Sequence, residues 1–217
     1  MADKLKPNAR QRILDAAKKL FYENGYENTT MDMISRESGT SKGTITYHFT
    51  SKDILAYHVF EGFIKDMQSV LMKKMVEKYR VYDPLLSSII EYRMFFRWAY
   101  EDPNLTSAFP VSTWNEESLT RPSGWDLLDS AYNVTAGMTP GEYTMKVIAT
   151  RVGAYAVRSA FLSGSLDVSY QECEDYFVNF RFSILKIDPE FYNKAFEYSK
   201  KIIDELNYEF KPYFVIE

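Results

Sequence analysis

With 217 residues, 46% of them hydrophobic, and only 9 Gly and 8 Pro, the chain is too rich in apolar side chains for a disordered segment and too poor in turn residues for a β-sandwich. Its net charge of −4 is unevenly spread: residues 1–52 hold nine Lys or Arg against six acids, a surplus of three, which leaves −7 for the remainder. A mildly basic head on an acidic body argues against a uniform polyanion-binding surface and suits contact with a polyanion at one end only.

The single Cys173 excludes an intramolecular disulfide, and with His48 and His58 alone no conventional zinc site is expected, nor any cofactor. The start MADKLKPNAR lacks the apolar run of a secretory signal. No stretch approaches the roughly 18 uninterrupted apolar residues of a membrane span, so a cytoplasmic chain without a membrane partner is expected.

In chain order, Pro7 suits the first turn of a helix carrying Ile13, Leu14, Ala17, Leu20 and Phe21 at helical spacing up to a C-cap at Asn24-Gly25. Thr29 and Thr30 offer caps for a second helix over 31–38, stopped by Gly39. Ser41 caps a third over 42–48, and Ser51 a long fourth beginning at Lys52. Further on, Asp83-Pro84, Asp102-Pro103, Thr139-Pro140 and Asp188-Pro189 each pair a capping side chain with a proline at the first helical position. These predict helices over 84–101, 103–117, 122–136, 140–163, 169–186 and 189–208. No strand alternation bounded by hairpin dipeptides is visible, so the expected class is all-α.

Two short helices joined by a three-residue, glycine-containing turn at 31–50 make a helix-turn-helix, whose second helix can enter a major groove about 12 Å wide. On that helix Ile45 and Phe49 are spaced to face a core, which leaves Lys42, Thr44, Thr46, Tyr47 and His48 outward. Tyr47 offers a hydroxyl and a ring edge, Thr46 a methyl and a hydroxyl for base contact, and Gly43 close backbone approach. Lys42, Lys52, His48 and the helix-start hydroxyls of Thr30 and Ser51 suit phosphates, which position a protein on DNA without reading sequence, and Ser41 is counted with the DNA-binding residues. A three-helix bundle with the same residues merely solvated is the plain alternative.

The residues Ile13-Leu14-Asp15-Ala16-Ala17 through Phe21, Gly25-Tyr26, Thr29-Thr30, Ile34, Gly39, Ser41-Lys42-Gly43-Thr44, Tyr47-His48-Phe49 and Ser51-Lys52 together closely resemble the TetR family of bacterial repressors. The resemblance spans roughly residues 8 to 60 without gaps. It implies a homodimer, a palindromic double-stranded DNA operator, and an all-helical ligand-binding domain whose occupancy alters the spacing of two DNA-reading heads. Thr46 departs from the larger, often aromatic residue common at that position, so base preference does not carry over. The expected organisation is therefore a DNA-binding domain over 7–67 and a helical effector-binding and dimerisation domain over 68–217.

In the body no residue roles transfer. Ala149, Gly153, Ala156 and Ala160 share one helical face that admits a close partner helix, either in a symmetric dimer or within the chain, with 169–186 and 189–208 as candidate partners. Aromatics and methionines are dense in the middle, and Phe63, Met67, Phe95, Trp98, Trp114, Trp125, Tyr155 and Arg158 are candidate lining for a largely apolar small-molecule pocket; ordinary core packing is the alternative for each. Arg158 could meet an acidic ligand or an intrachain acid. His58, near the junction, suits packing better than catalysis, and no nucleophile elbow, phosphate loop or acid–base pair is present. The expected function is a ligand-released repressor. A ligand-independent regulator or activator is the runner-up, and a helical carrier or enzyme the remotest reading.

Overall fold

The computed structural model describes residues 8–80, 82–110, 128 and 131–217. The helices are α1 (Ala9–Asn28), α2 (Met31–Ser38), α3 (Lys42–His48), α4 (Lys52–Tyr79), α5 (Pro84–Glu101), α6 (Pro103–Ala108), α7 (Pro140–Leu162), α8 (Tyr170–Phe182) and α9 (Pro189–Ile202), followed by two-residue strands β1 (Phe210–Lys211) and β2 (Val215–Ile216). Two compact units result. One comprises the described parts of Met1–Asp66, Asp102–Asn115 and Phe210–Glu217, the other those of Met67–Glu101 and Glu116–Glu209. No single cut in the chain separates them, because two later segments return to the first unit.

Local chemistry explains most element ends. Asn8 caps α1, its side chain accepting the Gln11 amide at 2.9 Å, while Pro7, expected in the first turn, lies outside the described residues. Helical dihedrals break at Gly25 (φ 74°, ψ 165°), and one more turn runs to Asn28. A Cβ on Gly25 would stand 3.4 Å from Ser107 of α6, so the glycine serves both the backbone turn and the close approach of α1 to α6. Thr30 caps α2 and Gly39 ends it in the left-handed region (φ 62°, ψ 33°). Asp83 caps α5 by accepting the Leu85 and Leu86 amides.

Four predicted bounds change. The helix expected over 103–117 ends at Ala108, since Phe109 (φ −132°, ψ 62°) precedes Pro110, and a proline disfavours the helical region for its predecessor. The helix expected over 122–136 lies mostly outside the described residues, but its tail is a turn, with Asn133 at φ 49° and Gly137 at φ 72°. The one expected to reach 186 stops at Phe182, because the Lys186 amide donates instead to Val134 O at 2.8 Å. The one expected to reach 208 leaves regular helix after Ile202, and Lys74 and Lys78 of α4 donate to the carbonyls of Leu206, Asn207 and Glu205 that follow. The antiparallel β1–β2 hairpin, pairing Phe210 with Ile216 and Lys211 with Val215, was not expected in an all-α chain.

In the first unit Ile13, Ala17 and Phe21 of α1, Ile34 of α2, Ile45 and Phe49 around α3 and Leu55 of α4 are fully buried. Phe214, in the hairpin loop and fully buried, packs against Tyr22 (ring centroids 5.3 Å apart), Phe63 (5.8 Å) and Phe109 (4.9 Å). Tyr22 donates to Asp102 at 2.6 Å and Tyr213 to Glu23 at 2.9 Å, which ties α1 to α6 and to the hairpin.

The second unit has its core in Leu85, Ile89 and Phe96 of α5, Val147 and Ala154 of α7, Phe177, Val178 and Phe182 of α8, and Ala195 and Phe196 of α9. Within it the fully buried Arg93 of α5 donates to Glu174 (2.5 Å), Asp175 (2.9 Å) and Ser199 (2.8 Å) and stacks over Phe196, joining α5, α8 and α9. A buried guanidinium is tolerated where its charge is paired and hydrogen-bonded in this way.

Candidate nucleic-acid interface

The exposed side of α3 is built by what its other side buries. Ile45 and Phe49 are both fully enclosed, the first intramolecular anchor being α3 itself and the second its C-cap, while Arg10 stacks over the Phe49 ring at 5.1 Å. With these two anchored, helical spacing turns Lys42, Gly43, Thr46 and Tyr47 to solvent, Tyr47 being 85% exposed. A tyrosine this exposed gains little from the fold, because almost none of its ring is removed from water. His48 is half-buried, edge-on to the Tyr47 ring and tilted against that of Phe49.

The turn between α2 and α3 is held by a hydroxyl chain. Ser35 donates to Thr40 O, Ser38 bonds the Thr40 hydroxyl at 2.7 Å, and Arg12 of α1 donates to Ser38 O at 3.2 Å. These bonds set the angle at which α3 leaves α2, so the direction of Tyr47 depends on residues outside α3 as well as on α3 itself.

The expected DNA-binding residues divide by what already occupies them. Thr30, Ser41 and Ser51 each accept a helix-start amide, from Met33, Thr44 and Ile54 respectively, and Ser41 also bonds the half-buried Thr44 hydroxyl at 2.9 Å. Lys42 stands exposed and pairs with Asp32 of α2 at 2.6 Å, a surface pair worth little and open to exchange for another anion. Lys52 is engaged more deeply than its sequence position suggests. It donates to the carbonyls of Tyr26 and Thr29, both at 3.0 Å, and lies 3.9 Å from the Tyr26 ring centroid, so it closes the C-terminal end of α1.

The hydrophobic pattern does not announce Tyr26. Its ring is buried and its hydroxyl donates to Asp53 in the first turn of α4, with burial first and Asp53 second raising its pKa well above the usual phenol value. Tyr26, Lys52 and Asp53 thereby lock the start of α4 to the end of α1; the Gly25-Tyr26 pair is the only sequence signal for it.

The residues expected to line a pocket come apart into separate places. Phe63 belongs to the core of the first unit, where the hydrophobic rings of Phe60, Phe210 and Phe214 surround it. Met67 is buried, and Trp98 lines a cavity of about 230 Å³ in the second unit with Met94, Arg97, Ile203, Asp204, Asn207 and Tyr208. Phe95, Tyr155 and Arg158 do come together, with the Arg158 guanidinium over both rings. Trp114 and Trp125 lie outside the described residues.

On α7, Ala149 and Ala156 are exposed and Gly153 and Ala160 half-buried. Gly153 is occupied within the chain: a Cβ there would fall 2.7 Å from the Phe180 ring of α8, so α8 is the helix that exploits the missing side chain. The other candidate partner, α9, packs on α5 instead. Met145 (67% exposed) and Val152 (36%) share the outward face with Ala149 and Ala156.

Among the described residues no helix is long and apolar enough to cross a membrane, and no group of His, Cys, Asp and Glu is placed to hold a metal ion. Residues 13–59 match the family model described as bacterial regulatory proteins, tetR family. HTH-type transcriptional regulators of Staphylococcus aureus strains USA300 and MRSA252 are each 33% identical over 88 residues, which is 41% of this chain and 47% of theirs. The match thus spans about half the length of these curated relatives. Among solved structures, the native TylP regulator of Streptomyces fradiae is 22% identical, with 92% of this chain and 97% of that one covered and a TM-score of 0.46. A TetR transcriptional regulator from Rhodococcus sp. RHA1 is 18% identical, over 82% and 97%, with a TM-score of 0.48. Residues 13–59 thus carry a domain of the tetR family of bacterial regulatory proteins.

Proposed function

We propose that this protein is a transcriptional repressor that binds a palindromic operator as a homodimer, inserts α3 of each protomer into the major groove, and is released by a small, largely apolar ligand held in the helical body. The observation that carries the reading is the α3 surface: Tyr47, 85% exposed, projects beside Lys42 and Thr46 from a helix anchored at Ile45. Such a display has no packing purpose and suits base edges and phosphates.

Two α3 helices in successive major grooves on one DNA face stand about 34 Å apart. A ligand that prefers a differently spaced conformer by a few kcal/mol suffices to release the complex, since both heads must fit at once. For the dimer contact, the outward face of α7 supports an interface: Met145, Ala149, Val152 and Ala156 recur at spacings of four, three and four, and Tyr176 of α8 adds a ring 54% exposed. In this reading residues 7–67 serve DNA and residues 68–217 serve the effector and the dimer, with the β1–β2 hairpin returning from the latter stretch to pack in the first unit.

The test is a gel shift on the DNA upstream of the protein's own coding region at 50 and 200 mM salt. A specific complex that weakens steeply with salt, and that Tyr47→Ala weakens by roughly tenfold to a hundredfold, is expected. Because Tyr47 contributes almost nothing to packing, the variant should melt within about 0.5 kcal/mol of the parent. A complex indifferent to Tyr47→Ala would overturn the assignment of α3 as the reading helix.

A further inference from the structure

Among its described residues the second unit buries three arginines, and they are not equivalent. Arg93 is paired with Glu174 and Asp175 and bonded to Ser199. Arg181 donates to Thr150 at 2.9 Å and to Tyr92 at 2.8 Å. Arg158 of α7 is 4% exposed, its Nε has no hydrogen-bond partner, and no Asp or Glu among the described residues forms an ion pair with it. What it has is two rings, its guanidinium carbon lying 4.6 Å from the Phe95 ring centroid and 5.1 Å from that of Tyr155.

Ring faces stabilise a cation, but they satisfy none of the five N–H donors of a guanidinium and do not neutralise its charge. Leaving such a group dry and without an anion is costly, and proteins avoid it by pairing the charge or by keeping it hydrated. Here burial lowers the Arg158 pKa to about 10, the same cost seen as a loosened proton. Arg93 and Arg181 each lie over one ring as well, Phe196 and Tyr92, but only Arg158 lies over two rings with no acid or hydroxyl bonded to it among the described residues.

From this geometry we infer that Arg158 is the anion anchor of the effector site, and that the effector is an organic acid whose carboxylate takes the guanidinium while its apolar part packs on Phe95 and Tyr155. The assignment rests on the reading of the body as a ligand-binding unit and narrows it to one ligand class. A carboxylate matches the guanidinium fork with two parallel N–H···O bonds, so it satisfies donors and charge together. A neutral molecule of the same shape would leave both unmet, and a site built to pair a polar group discriminates strongly against an analogue lacking it.

The full-length protein is tested by thermal melting and gel shift with four probes: 4-phenylbutyrate and octanoate, each against its primary amide. Wild type should melt higher with millimolar carboxylate and not with amide, and Arg158→Met should lose the carboxylate effect. Without any probe, Arg158→Met should melt higher than wild type by about 2 °C or more, since it removes an unpaired buried charge. Arg158→Gln, checked for helicity by far-ultraviolet circular dichroism, replaces Arg158→Met if that variant does not fold.

The inference is overturned if amides shift the wild type as much as carboxylates, if the variant keeps the carboxylate shift, or if no carboxylate shifts the wild type. A variant that keeps wild-type helicity yet melts lower than wild type without any probe also overturns it, because the arginine would then be serving the fold through a partner. Failure of the underlying reading shows differently. Carboxylates that bind through Arg158 yet leave the DNA complex untouched would keep the anion site and remove the ligand-released regulator, whereas amides that dissociate DNA as well as acids do would keep the regulator and remove Arg158.

Discussion

Glu91 of α5 is half-buried. Gln68 of α4 donates to it at 3.1 Å, but burial dominates and pushes its pKa up from 4.5 to about 7. A carboxyl whose folded pKa is raised binds its proton more tightly in the native state than in the unfolded chain. Its contribution to stability is therefore fully present below about pH 4.5, declines as pH rises, and is lost above about pH 7. Glu91→Gln keeps an acceptor for Gln68 and cannot ionise, so it should stabilise the protein by roughly 1 to 2 kcal/mol at pH 8 and by almost nothing at pH 4. Melting curves at the two pH values check this, and an equal effect at both would show that the carboxyl is not held neutral. Tyr47 is the opposite kind of residue: an exposed ring whose removal should cost DNA affinity and no stability. Both could be named in the sequence, but only Tyr47 could be assigned a role there, because the 3.6-residue period turns it outward, whereas the burial of Glu91 is made by α4.

Capping is the chemistry that carried element boundaries most faithfully. Thr30, Ser41, Asp102, Thr139 and Asp188 all accept helix-start amides as a local reading of side chain and spacing demands. Helix ends fared worse, since α8 and α9 stop where a distant segment competes for their backbone: Val134 O for the amide after α8, and Lys74 and Lys78 for the carbonyls after α9. The C-terminal hairpin is the extreme case. Its strands are two residues long and its loop holds Tyr213 and Phe214 at positive φ (64° and 56°), a conformation no local pattern favours. It persists because Phe214 is inserted among Tyr22, Phe63 and Phe109. Phe214→Ala should accordingly destabilise the protein by about 3 to 5 kcal/mol in denaturant unfolding. A loss under 1 kcal/mol would mean that the hairpin rests on the first unit without supporting it.

At the scale of the whole molecule, the outward face of α7 is where the proposed dimer contact is tested. If Met145, Ala149, Val152 and Ala156 meet their symmetry mates, Ala156→Glu places two carboxylates in a closed apolar contact and should convert the dimer to a monomer, read by analytical ultracentrifugation at micromolar concentration. DNA affinity should fall with it, because one head alone makes half the contacts. A variant that stays dimeric would move the interface to another face.

The chain's own residues determine the helical class, the caps, the helix-turn-helix and the outward residues of α3, since each depends on interactions within a few positions along the sequence. Tertiary structure alone decided which aromatics are core and which surround a lone cation. Phe63 and Phe95 look alike in sequence, yet the first fills the core of one unit and the second faces Arg158 in the other. It also decided that Lys52 closes α1, that Gly153 admits Phe180, and that Arg93 is paired where Arg158 is not. The physical reason is common to all of these: burial and charge pairing are set by what the rest of the chain brings near, and no periodicity along one helix records it.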